Sequence, residues 1–456
     1  MSLQTAAGLL DPLFADEGVR ALFTDSARLQ AMLDFEAALA RAQARVSVIP
    51  SQAAAVIQAH CRAELFDVAE LGVATALAGN PAIPLAKALT ARVAAQDADA
   101  ARYVHWGATS QDVIDTGLVL QLRAALAAIA SGVDRLGHAL ARMADAHRGT
   151  PAVGRTLLQH ALPVTFGLKA AGWLDAVTRH RARLADVRGR ALTLQFGGAC
   201  GTLAALGEKG MAVAAALARE LGLAEPDLPW HAHRDRFAEI ATTLGLLTGT
   251  LGKIGRDIAL SMQTEVGELF EPAAEGKGGS SAMPHKRNPV DSVVAQAAAL
   301  RVPGLVATML VAMVQEHERG VGGWHAEWET LPQIVLLVAG ALRHTVIMAE
   351  GLEVDTVRMR ETVDATHGLI MAEAVTVALG EHVGRQQAHQ IVERACRRAV
   401  AEGRHLRAVL GEDPAVIHQL QPSALDSLLD PVNYLGSAAA FIDRALAAAP
   451  AHATKE

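Results

Sequence analysis

Aromatic side chains are scarce in this chain, 4% of 456 residues with two tyrosines, and cysteine is scarcer still. Cys61, Cys200 and Cys396 are odd in number, far apart and outside any CxxC pattern. That excludes a disulfide framework and a paired-thiol redox motif, and it fits a reduced, cytoplasmic setting. There is no excess of positive charge: the formal net charge is −7, which argues against general binding to nucleic acid or to an anionic membrane. An uninterrupted run of about 18 apolar residues is missing, so no membrane span is expected. The opening Met1-Ser2-Leu3-Gln4-Thr5 lacks a basic and then apolar pattern, so no secretory leader is expected either. Strand-rich segments and internal repeats of solenoid length are also lacking. What remains is a chain 51% hydrophobic and 20% charged, dominated by alanine and leucine, which suits a mostly helical protein of two or three domains.

Helical periodicity is strongest in the middle of the chain. Thr109-Ser110-Gln111-Asp112 reads as a helix start, with Thr109 or Ser110 as N-cap and Asp112 beside the positive end of the helix dipole. Apolar residues continue through Leu118, Leu122, Leu126, Ile129, Val133, Leu136, Leu140 and Met143 until Gly149 and Pro151. Comparable stretches run from about 163 to 190, 233 to 268, 289 to 315 and 327 to 351. Helices this long suggest a bundle, and apolar residues on more than one face suggest packing against other subunits. Shorter helices precede and follow. The expected fold is all-α, a long central helical bundle (108–351) flanked by two smaller helical domains (1–107 and 352–456).

Residues 279–289, Gly-Ser-Ser-Ala-Met-Pro-His-Lys-Arg-Asn-Pro, follow the glycine-rich run Glu275-Gly276-Lys277-Gly278. Between Gly276 and Val290 lie the cations Lys277, Lys286 and Arg287, one histidine and no acidic side chain. A pliable cationic loop ending at a proline that can open a helix is an anion trap. Taken alone, it also fits a solvated basic linker.

Two further segments change that balance: His105-Trp106-Gly107-Ala108-Thr109-Ser110-Gln111-Asp112 and Gly154-Arg155-Thr156-Leu157-Leu158-Gln159-His160-Ala161-Leu162-Pro163. In this order and at these separations, the three segments resemble the fumarase/aspartase superfamily, which includes argininosuccinate and adenylosuccinate lyases. The resemblance implies a homotetramer in which three subunits share each active site. It also implies chemistry at a carbon alpha to a carboxylate, with Ser280 as the proton carrier and Lys286 as the cation that supports it. Ser281, Met283, Arg287 and Asn288 of the loop then bind substrate, together with His105, Thr109 and Ser110. A developing dianion needs such preorganised donors.

Two departures narrow the substrate. Fumarase and adenylosuccinate lyase carry a histidine where this chain has Leu157, which leaves Gln159 for substrate contact and His160 for contact or proton transfer. Glu316-His317-Glu318-Arg319 opens as in adenylosuccinate lyases, but glycines and tryptophans follow, with Trp328 at the place of a phosphate-gripping arginine. A phosphate site needs several donors, so a nucleotide substrate is not expected. Gly322-Gly323-Trp324-His325-Ala326-Glu327-Trp328, with the turn Gly79-Asn80-Pro81, instead resembles the 3-carboxy-cis,cis-muconate cycloisomerases of the protocatechuate branch of aromatic degradation. That resemblance implies a small tricarboxylate substrate and no metal or organic cofactor. A fumarate-releasing C–N lyase and an inactive structural homologue remain as alternatives. His231-Ala232-His233 has the look of a metal pair but lacks a third ligand at suitable spacing, and His233 is a further candidate to line the site.

Overall fold

The computed structural model describes residues 8–279, 282–283 and 285–449. The elements that position the site are, in chain order, α1 (Asp25–Arg45), α2 (Ser110–Ala146), β1 (Pro151–Thr156), β2 (Gln159–Thr165), α3 (Phe166–Ala191), α4 (Asp235–Ser261), β3 (Leu269–Phe270), α5 (Val290–Ala312), α6 (Gly323–Gly351) and β4 (Glu353–Val354). Among the described residues the fold is all-α apart from two small antiparallel sheets, β1 with β2 and β3 with β4. The chain divides into two compact units. One comprises Met1–Val133, His180–Gly252 and Val294–Arg343; the other comprises Asp134–Arg179, Lys253–Val293 and His344–Glu456.

Helix α2 has 37 residues, roughly 55 Å at 1.5 Å per residue. Its start matches expectation: the Asp112 carboxylate reaches back to the Thr109 N–H at 3.0 Å, the reciprocal half of a capping box. Val119, Leu122, Leu126, Ile129 and Val133 recur at intervals of three and four and are all buried. In the first unit, long helices approach closely where a side chain is missing. A Cβ on Gly252 of α4 would come within 2.4 Å of Ala299 Cβ on α5, and one on Gly132 of α2 within 2.7 Å of Leu342 Cδ2 on α6.

Helices α2, α5 and α6 are long and apolar enough to cross a membrane by length and composition. In α2 and α6 most of that apolar stretch is buried inside the protein, 61% and 78%, which accounts for its character; in α5 only 28% is buried.

The segment before α3 departs from expectation. Residues 151–165 form a β-hairpin, and α3 starts at Phe166 rather than near residue 163. Leu157 and Leu158 make its two-residue tip, with φ of 52° and 64°, the twisted turn that ordinarily selects Asn-Gly. Two leucines carry no turn signal and favour helices, so the hairpin is hidden in the sequence. Gly154 is required by the pairing: a Cβ there would stand 2.6 Å from the Leu162 carbonyl oxygen.

Candidate active site

The first site segment, residues 105–112, belongs to the first unit. The backbone turns sharply through His105 (φ 58°) and Gly107 (φ 74°) before α2 begins. Glu36 on α1 is 2% exposed, and its Oε1 lies 2.6 Å from His105 Nδ1. Gln43, two turns further along the same face of α1, donates to the Trp106 carbonyl at 2.6 Å. Burial works against a charge on the His105 ring, yet Glu36, with a smaller push from Asp112, raises its pKa above the ordinary histidine value.

Arg319 fastens the start of α2. Its Nη2 donates to Thr109 Oγ1 at 3.1 Å and to the Ala199 carbonyl at 3.1 Å, and its Nε donates to Gln111 Oε1 at 3.2 Å. Asp112, fully buried, accepts from the N–H groups of Gly197 (3.0 Å) and Gly198 (2.9 Å) and pairs with His231 Nε2 at 2.7 Å. One turn on, Asp115 and Glu327 hold the buried Arg234 between them at 2.6 Å each, and Trp324 Nε1 donates to Asp115 at 2.9 Å. Burial opposes the Arg234 charge, but the two carboxylates outweigh it and hold its pKa above the usual arginine range. This network fixes the helix start that presents Thr109 and Ser110. His231 is thereby committed to Asp112, while His233 is exposed. Trp230, 1% exposed and bonded to the Leu194 carbonyl, is a packing residue.

The other two segments belong to the second unit. Gln159 and His160 stand exposed on β2 beside the hairpin tip, where Leu157 and Leu158 are 97% and 76% exposed. Arg155 ties the hairpin down with a two-pronged bond, 2.9 and 2.7 Å, to the buried carboxylate of Glu268. Glu268 immediately precedes β3, which leads into the glycine-rich loop.

That loop is anchored at both ends. Glu271, buried, accepts from the N–H groups of Asp291 (3.0 Å) and Ser292 (2.7 Å), capping α5 from outside the helix. Asp291 pairs with Lys277 from the loop and, at 2.6 Å, with His344 from α6. Burial works against the Asp291 charge, and His344 and Lys277 overcome it, so the carboxyl lies below its usual range. Arg287 spans from the loop to Glu353 at 3.0 and 2.7 Å and donates to the Glu271 carbonyl at 2.7 Å. Gly278, at φ 67°, leaves room for the Asn288 carbonyl, which a Cβ would approach to 2.6 Å.

Of the residues proposed from sequence, His105, Thr109 and Ser110 share one short segment, Gln159 and His160 share the hairpin, and Met283, Lys286, Arg287 and Asn288 share the loop. Ser280 and Ser281 lie outside the described residues. The structure separates the three loop cations. Lys277 and Arg287 are engaged by carboxylates of the fold, whereas Lys286 is exposed and has no ion pair among the described residues. Sequence reasoning missed Glu36 and His344, which are distant in sequence from the segments they serve; it also missed Glu271 and Asp291, which flank the loop, and left Arg319 unassigned although it stands in a noted run.

The class of protein follows from comparison with known proteins: it is a lyase of the fumarase type. Residues 15–304 match the lyase family, and residues 368–445 match the adenylosuccinate lyase C-terminus. The chain belongs to the fumarase/aspartase superfamily. A 3-carboxy-cis,cis-muconate cycloisomerase from Pseudomonas aeruginosa is 60% identical, covering 98% of this chain and 97% of that one. One from Bradyrhizobium diazoefficiens is 55% identical over 96% and 97% of the two chains. The crystal structure of 3-carboxy-cis,cis-muconate lactonizing enzyme from Pseudomonas putida superposes with a TM-score of 0.93, at 55% identity, covering 96% of this chain and 98% of that one.

Proposed function

We propose that this protein is a cycloisomerase that lactonises 3-carboxy-cis,cis-muconate to 4-carboxymuconolactone, in the protocatechuate branch of the β-ketoadipate pathway. The observation that carries this reading is the near-full-length similarity, 60% identity over 98% of the chain, to a 3-carboxy-cis,cis-muconate cycloisomerase. In the reaction one carboxylate oxygen of the substrate bonds to a carbon of the conjugated diene, and a proton joins the carbon alpha to another carboxylate. No atom is lost. Read in reverse, it is β-elimination with a carboxylate as leaving group.

In this reading Ser280 or His160 carries the proton, and the dianion that appears at the alpha carbon is met by Lys286, Asn288 and loop N–H groups. A serine alkoxide needs such surroundings to form near neutral pH. Lys286 is the loop cation available to substrate, and Arg287 acts through the loop's anchorage because its charge is engaged by Glu353. Thr109, Ser110, Gln159, Ser281 and Met283 complete the substrate contacts. The exposed leucines at the hairpin tip offer apolar surface where related lyases carry a histidine, which suits a reaction whose nucleophile is internal to the substrate.

The same reading includes a cytoplasmic homotetramer whose sites draw on three subunits, and a division of the chain at 107/108 and 351/352. Support for self-association comes from α5, where Leu300, Leu310 and Val311 remain 77%, 47% and 75% exposed; apolar faces this open mark interaction surfaces. Incubating the purified protein with the tricarboxylate tests the reading. Loss of diene absorbance without release of fumarate supports it, and release of fumarate from an amino-linked succinate instead would overturn it.

A further inference from the structure

We propose that Glu36 and His105 work as a charged pair, in which Glu36 positions the His105 ring so that its Nε2–H is offered as a cationic donor to a carboxylate of the substrate. The inference rests on the reading that the substrate is a polycarboxylate.

Glu36 sits on an otherwise apolar stretch of α1, between Phe35 (0% exposed) and Leu39 (1% exposed). A carboxylate there must be compensated, because burying an unpaired charge is costly. Its Oε1 reaches His105 Nδ1 at 2.6 Å, and its Oε2 is buried with no hydrogen-bond partner. Compensation therefore falls on one imidazole, and an imidazolium compensates better than a neutral ring. The other side of the ring is open. The His105 side chain is 23% exposed, and Nε2 bonds to nothing among the described residues.

The backbone is bent to achieve this. His105 holds a left-handed φ of 58°, a conformation that non-glycine residues seldom adopt. It is clamped by the Gln43 bond to the next carbonyl and by the turn at Gly107, where a Cβ would meet Leu206 Cγ at 2.7 Å. Strain kept by such surrounding structure is typical of groups held for a ligand. The ring then precedes by five residues the start of α2, whose free N–H groups and Thr109 hydroxyl also favour an anion. The charged groups facing this region are Glu36 from α1, Asp112 from α2 and Arg319 beside Thr109. Asp112 is already engaged by His231 and by the Gly197 and Gly198 N–H groups, so Glu36 is the carboxylate that governs the ring.

Glu36→Gln separates charge from geometry, since glutamine still accepts from Nδ1–H. Two readouts follow. The first is carbethoxylation of His105 by diethylpyrocarbonate, which attacks the neutral ring, followed by peptide mass spectrometry across pH. The midpoint for His105 should fall by about one pH unit or more in Glu36→Gln, and the tricarboxylate should protect His105 in the unsubstituted protein. The second is turnover of the tricarboxylate. Glu36→Gln and His105→Gln should each raise KM about tenfold with a smaller change in kcat, and the double variant should be no worse than either. The alkaline limb of kcat/KM should move to lower pH in Glu36→Gln and vanish in His105→Gln. An unchanged labelling midpoint, absence of protection, or an unchanged alkaline limb in His105→Gln would show that the pair only pins the backbone. If Glu36→Gln does not fold, His105→Gln and protection of the unsubstituted protein still decide. Should that protein fail to turn over the tricarboxylate, the proposed reaction falls, while the labelling still reports whether Glu36 keeps the ring charged.

Discussion

At the scale of single residues, two of the loop's three cations, Lys277 and Arg287, are engaged by carboxylates of the fold, and Lys286 has no ion pair among the described residues. Lys286→Ala should lower kcat/KM by about a hundredfold or more, as removal of a donor aimed at developing charge does elsewhere, with the melting temperature unchanged. Arg287→Ala removes a partly exposed ion pair, worth at most about 1 kcal/mol, and should cost less activity than Lys286→Ala; steady-state kinetics on both variants checks the order. Ser280→Ala should reduce turnover by about two to four orders of magnitude if that serine moves the proton, with circular dichroism showing an intact fold; near-normal turnover would place the proton carrier elsewhere. The loop was legible as a candidate site because its residue types stand side by side in the sequence. The partners that spend two of its charges were not: Glu353 lies 66 residues from Arg287, and nothing in the spacing announces that Asp291 faces both Lys277 and His344. The Glu36–His105 pair spans 69 residues and was hidden for the same reason.

At the scale of elements, the long helices announced themselves through apolar residues at intervals of three and four, and the start of α2 through its capping residues. The hairpin did not, because its tip breaks local preference. Leu157 and Leu158 together hold about 2–4 kcal/mol of left-handed backbone strain, so replacing the pair by Asn-Gly should leave the melting temperature unchanged or higher. If the tip leucines serve the substrate, the same replacement should lower kcat/KM; full activity would show that they do not. Asp291 carries the opposite kind of cost. Asp291→Asn leaves His344 and Lys277 without their carboxylate, and breaking a buried pair typically costs about 3–5 kcal/mol, readable by chemical denaturation. The pH sense follows from its depressed pKa. Above the unfolded carboxyl value the folded protein gains this stability in full, and it loses it as pH falls through the lower, folded value. Unfolding midpoints measured between about pH 6 and pH 3 should therefore fall more steeply in the parent protein than in Asp291→Asn.

At the scale of the whole molecule, the all-α architecture and the superfamily were both readable from sequence, since three motifs in fixed order carry more information than any one of them. The homotetramer is an expectation that rests on resemblance alone, because composition does not say which apolar helix faces meet another copy. The exposed face of α5 makes that expectation testable: Leu300→Asp with Val311→Asp should shift the mass measured by light scattering from tetramer toward smaller species and reduce activity along with it. The central claim is that a carboxylate and a proton add across one double bond of the same substrate. Turnover of 3-carboxy-cis,cis-muconate in D2O, followed by NMR and mass spectrometry, tests this most directly. The account predicts a lactone carrying one solvent deuterium on the carbon alpha to a carboxylate, with no fumarate. A lactone without deuterium there, or cleavage to fumarate, would contradict it.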